Sequence, residues 1–227
     1  MRFFLFERLI LKKEYSRLHR AVLRGFPKEC AEDVESVFEI LTLKKSCPCA
    51  DVYYLDQPTE WLLLSGEKIC MPYRLCLEDS NLDDPSLTSR QQVILDCILT
   101  RSCNGYQRQR SLERLLAGEL PDFALPYVVK LCDEYVVEIL QVVYERLSPA
   151  DCLRCRALCV RNIDYIKRAH SHMISYWAEF YRGDCYRYKD YIGRKLYAEC
   201  FGYRKTGQRV IETVAERSVR DENSSNS

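Results

Sequence analysis

The sequence predicts a mainly α protein, an irregular helical bundle or a short HEAT-like helical array that carries a small β-hairpin insert. Three observations predict it. Apolar residues recur at helical spacing beside capping residues along most of the chain, and β-prone residues gather in one short stretch around a Ser-Gly pair. A composition of 47% hydrophobic and 30% charged residues belongs to a folded chain with a well-solvated surface. With 227 residues, the chain can bury a core without staples.

Leu9, Leu11, Leu18, Val22 and Leu23 recur among charges and predict an amphipathic helix stopping at Gly25. Glu7 and Arg8 interrupt the apolar run at the start, and no small-residue cleavage site follows it, so it reads as core helix rather than leader. Pro27 suits the first turn of a second helix, in which Glu29, Glu32 and Asp33 favour the positive end and Val34, Val37, Phe38 and Leu41 form one face. Lys44 and Lys45 close it, and this helical pair makes a first region, residues 1–46.

Residues 47–77 read as a small β insert, with prolines at 48, 58 and 72 and the β-rich run Val52-Tyr53-Tyr54-Leu55. A hairpin is expected over residues 60–76, turning at Ser65-Gly66, where glycine supplies a positive φ. Residues 78–87 are acidic and turn-rich, hence a linker, and residues 88–209 read as a helical domain. Thr88 or Ser89 caps a helix running through Thr100, Asn104-Gly105 breaks it, and Tyr106 to Ala117 forms the next, ending at Gly118. Phe123 to Leu147 is apolar on too many faces for a surface helix and is expected to be the buried central element. Ser148-Pro149 then starts a long helical stretch to Tyr181, with a break near Asn162, and a last helix from Tyr188 to Cys200 stops at Gly202. Residues 210–227 form a C-terminal extension whose polar end, from Arg220, is expected to be disordered.

Three stretches are similar to an uncharacterised bacterial protein group of unknown function: Leu64-Ser65-Gly66-Glu67-Lys68-Ile69-Cys70-Met71-Pro72-Tyr73-Arg74, Arg101-Ser102-Cys103-Asn104-Gly105-Tyr106-Gln107-Arg108-Gln109-Arg110 and Tyr135-Val136-Val137-Glu138-Ile139. The resemblance covers about residues 60–202 and implies no activity. It implies a histidine-rich turn where Arg101-Ser102-Cys103 stands, and this chain departs from that pattern.

Thirty-four Lys and Arg against thirty-three Asp and Glu give the whole chain no pull toward a polyanion, so any such site must be local. Thirteen cysteines, an odd number scattered along the chain, read as reduced thiols in a cytoplasmic protein, several of them filling the core as small apolar groups. No run approaches the roughly 18 apolar residues of a membrane span, so no membrane partner is expected. No G-x-S-x-G, phosphate-binding loop, Rossmann fingerprint or H-E-x-x-H sequence occurs, and three histidines, His19, His170 and His172, are a thin basis for a catalytic triad.

Four candidate constellations remain. Cys47, Cys49, Cys70 and Cys76 surround the expected hairpin and can be set against tetrahedral zinc, although their spacing fits no common knuckle and no cofactor is expected. Cys152, Cys155 and Cys159 share one helical face, and Cys152 falls in a first turn where the helix dipole favours a thiolate, which opens a redox or nucleophilic role beside simple packing. Between Tyr181 and Arg209, aromatic residues alternate with eight basic residues against three acidic ones. There Arg182, Arg187, Tyr188, Arg194, Lys195, Arg204 and Lys205 are candidates for binding single-stranded nucleic acid, against the plainer alternative of tyrosines packed inward. Finally, Arg101, Arg108, Arg110 and Arg114 around Asn104-Gly105 have the pattern of a DNA-reading helix pair. The leading expectation is a non-enzymatic helical module that binds another protein, with nucleic-acid binding and a cysteine-dependent enzyme or zinc protein as alternatives.

Overall fold

Alternation along two short strands, β1 (Thr59–Leu62) and β2 (Lys68–Met71), sends Trp61, Ile69 and Met71 into the core and leaves Glu60 and Lys68 in water. The strands pair antiparallel with Trp61 opposite Ile69 and Thr59 opposite Met71, as the expected hairpin requires. Gly66 takes φ +88° in the turn, a conformation that costs a residue with a Cβ, and its N–H donates to Leu63 O at 3.0 Å. These coordinates come from a computed structural model, which describes residues 15–41, 57–75, 77 and 85–204.

The protein is mainly α, with this hairpin the one sheet among the described residues. It divides into two compact units, Met1–Leu115 and Leu116–Ser227, so the boundary falls inside the stretch 88–209. In the first unit, α1 (residues 15–23) buries Leu18 and Val22, and a short 3-10 turn, Lys28–Cys30, leads from Pro27 into α2 (Ala31–Ile40). Val34, Val37 and Phe38 give α2 the inward stripe that their spacing predicts. The α2 helix packs on α3 (Ser89–Leu99), whose N-cap Thr88 and third residue Gln91 cap one another reciprocally at 3.2 and 3.0 Å. Arg90 clamps the two helices, with Nε 3.2 Å from Asp33 Oδ2 and Nη2 donating to Glu29 O at 2.9 Å. A further helix, α4 (Gly105–Leu115), packs back on α3.

In the second unit the expected central element is broken. Phe123 to Leu147 becomes a 3-10 turn (Asp122–Ala124), a fully buried α5 (Leu125–Leu131) and α6 (Val137–Arg146), which buries one face through Ile139, Leu140 and Val143. The interruption falls at Asp133-Glu134-Tyr135, where two carboxylates next to extended Val136 cannot continue a buried helix. Ser148 caps α7 (Pro149–Arg161) by accepting from the Asp151 N–H at 3.1 Å. Asn162 ends α7 with φ −118° and ψ 36°, and α8 (Ile163–Tyr176) runs into a π-helical turn, Trp177–Tyr181. A 3-10 turn, Tyr188–Asp190, precedes α9 (Ile192–Glu199), and Gly202 follows at φ +66°.

Among the described residues no helix is long and apolar enough to cross a membrane.

Candidate functional site

The arginines beside Asn104-Gly105 mostly point inward. Arg101 is fully buried and donates to Tyr73 O from Nε and Nη2 at 3.4 and 3.3 Å, while buried Arg108 donates to Ser102 O at 3.0 Å. Arg114 Nε lies 3.3 Å from Asp96 Oδ2, which leaves Arg110 as the exposed member of the set. Three of the four cations therefore tie the hairpin, α3 and α4 together, and a backbone bridge between Leu75 and Ser102 continues that work.

The basic and aromatic segment is split in the same manner. Tyr191, Tyr197 and Phe201 are core residues, and burial pushes the Tyr191 and Tyr197 hydroxyls to higher pKa. Tyr188 is half-buried, its ring 5.1 Å from that of Trp177 and its hydroxyl 3.4 Å from Nε2 of buried His170. Arg194 and Lys195 are partly covered, and Arg194 Nη1 donates to Lys189 O at 3.4 Å. Arg182, Arg187 and Arg204 are exposed; Arg182 lies 5.8 Å from the centre of the exposed Tyr186 ring, and Arg187 pairs with Asp190 at 2.6 Å. Lys205 and Arg209 lie outside the described residues.

Of the thiols set against zinc, Cys47, Cys49 and Cys76 also lie outside them, whereas Cys70 sits half-buried on β2 with its N–H donating to Arg24 O at 2.6 Å. Among the described residues, no group of three or more His, Cys, Asp or Glu side chains is placed to hold a metal ion. Cys155 and Cys159 of the α7 stripe are buried along with Cys132, and desolvation holds all three thiols protonated, while Cys152 is partly exposed.

A different group of residues comes together where α5, α6 and α8 meet in the second unit. Asp133, almost buried, accepts from Lys130 Nζ at 3.1 Å and from the Tyr165 hydroxyl at 3.0 Å, and its other oxygen lies 2.8 Å from Nδ1 of exposed His172. Lys130 also stands 5.1 Å from the centre of the Tyr165 ring. This network fixes the turn that carries Tyr135, whose carbonyl accepts from the Tyr181 hydroxyl; Tyr181 Oη in turn accepts from the Val137 N–H at 3.2 Å. Around this turn three rings gather: Tyr135 lies 6.1 Å from Tyr176 and 6.0 Å from Phe180, and Tyr176 and Phe180 are 6.5 Å apart. His172 extends the row, 6.4 Å from Tyr176. Tyr135 is 57% exposed and Phe180 58%, so this is an apolar patch open to water rather than core.

Sequence reasoning missed this patch because its members come from three elements up to 45 residues apart. One local signal existed: His172, Tyr176 and Phe180 are spaced four residues apart, one helical face.

No protein-family model, no curated protein and no solved structure matches the chain.

Proposed function

We propose that the chain is a non-enzymatic helical interaction module that docks another protein through the Tyr135, Tyr176 and Phe180 patch. The observation that carries this is the exposure of Tyr135 and Phe180 within a mutually packed ring cluster held by the Asp133 and Tyr181 hydrogen bonds. Rings held in water lose little conformational freedom when a partner covers them, which is why aromatic anchors dominate interfaces. The partner is a protein surface that brings apolar groups to the rings. A reducing, cytoplasmic setting belongs to the same reading and is supported by the use of Cys30, Cys97, Cys132, Cys155, Cys159 and Cys200 as buried core thiols.

Site-specific photo-crosslinking tests it. A benzoylphenylalanine placed at Phe180 should capture a discrete protein in cells, whereas the same group at Tyr106, a solitary ring 81% exposed in the first unit, should not. Equal crosslinking from both positions would remove the proposal.

Exposed Tyr186, with Arg182 beside it and Arg187 close by, favours a second reading as a binder of single-stranded nucleic acid. Anisotropy with a labelled single strand decides it: binding that weakens as salt rises and falls in Arg182→Ala supports it, and no binding at low salt excludes it.

A further inference from the structure

Cys152 is the fourth residue of α7 and is partly exposed. One turn later on the same helix, Arg156 reaches to the end of α9 and donates from Nη2 to Glu199 O. Its Cγ also lies where a Cβ on Gly202 would come within 3.2 Å. The face of α7 that bears Cys152 and Arg156 thus lies against residues 199–202, and buried Cys200, the C-cap of α9, stands between the two Arg156 contacts. The Cys152 and Cys200 thiols lie near enough for each to perturb the other's ionisation.

We propose that Cys152 and Cys200 form a peroxide-sensitive dithiol, in which Cys152 is oxidised first and Cys200 resolves it as a disulfide joining α7 to α9. The two thiols are electronically unequal. The neighbouring Cys200 thiol lowers the Cys152 pKa and the nearby Arg156 guanidinium assists, against the opposing effect of burial. Cys200 is held high by its neighbour Cys152 and by burial. Cys132, Cys155 and Cys159, buried and protonated, offer no competing nucleophile nearby.

The oxidant is a hydroperoxide. The Cys152 thiolate attacks its terminal oxygen, forming an S–O bond as the O–O bond breaks; the departing alkoxide, or hydroxide from hydrogen peroxide, takes up a proton. Cys200 sulfur then attacks Cys152 sulfur, forming the S–S bond as the S–O bond breaks, and the Cys200 proton leaves with hydroxide as water. Two thiols give up two electrons, and one hydroperoxide becomes an alcohol and water.

Trypsin isolates the two thiols, because residues 147–154 and 196–204 each form a peptide with one cysteine. The full chain, reduced and then exposed to equimolar hydrogen peroxide, should be alkylated and digested without reductant. The linked pair 147–154 and 196–204 should be the first oxidised product, and Cys200→Ser should instead yield a dimedone adduct at Cys152. Cys152→Ser should slow the first oxidation by roughly tenfold or more, since thiolate character sets the rate. Circular dichroism confirms folding of each variant, and Cys200→Ala serves where the serine does not fold. Cys152 and Cys200 both remaining alkylatable after another thiol has reacted would overturn the proposal, as would sulfinic acid at Cys152 in the unsubstituted chain without the linked pair.

Discussion

Asp151 carries two interactions at the start of α7: it accepts from the Ser148 hydroxyl at 2.6 Å and forms an ion pair with Arg154, which also reaches Asp122 at 2.8 Å. Burial alone would raise its pKa, but the Ser148 and Arg154 bonds prevail and hold the carboxyl below its ordinary value. A group depressed in this way stabilises the fold fully above its unfolded pKa and loses that contribution as pH falls through the lower folded value. Asp151→Asn should therefore cost about 1 kcal/mol by urea unfolding at neutral pH, a magnitude ordinary for a charge in a capped first turn. Its effect should vanish in strong acid, below the folded pKa; a loss equal at both pH values would show that charge is not the cause. The Ser148-Pro149 start was legible in the sequence because a cap acts through neighbours in the chain. The Asp133 contact with His172 was not, because it joins residues 39 apart and depends on how α5 and α8 pack.

At the scale of elements, α9 shows what close approach demands. A Cβ on Gly193 would meet Tyr191 Cε1 at 2.7 Å and Met173 Cγ at 2.9 Å, so the glycine lets α9 settle on α8. Alanine ordinarily gains about 1 kcal/mol over glycine within a helix. Gly193→Ala should nevertheless destabilise by roughly 1–3 kcal/mol through overpacking, while Gly118→Ala, with nothing within 4 Å, should not. Thermal unfolding of the two variants checks the contrast. The hairpin was legible from Ser65-Gly66 and the β-prone runs around it, and α3 from a cap at Thr88 or Ser89, of which the structure uses Thr88. The break at Asp133 was not, since an apolar run long enough for one helix reads the same when divided into two. Likewise, the alternating tyrosines of residues 181–209 carry no mark that separates buried Tyr197 from exposed Tyr186.

At the scale of the molecule, cysteine among the described residues serves largely as a small apolar residue: Cys30, Cys97, Cys132, Cys155, Cys159 and Cys200 are free and buried. Denaturation without reductant should thus release at least these six additional thiols to a colorimetric thiol reagent, and equal titration of native and denatured protein would refute it. Those cysteines belong to both compact units, so neither unit relies on a disulfide among them. Against this sealed interior, the open ring patch stands as the feature that folding alone does not explain. The most direct measurement pairs stability with binding in a Tyr135→Ser, Phe180→Ser double variant, using the partner captured by crosslinking. If the rings serve docking, unfolding should change by no more than about 1 kcal/mol per ring, in line with exposed aromatic pairs, while affinity falls by about tenfold or more. A loss of roughly 3–5 kcal/mol per ring in stability, as for a core aromatic, or an unchanged affinity, would contradict the account.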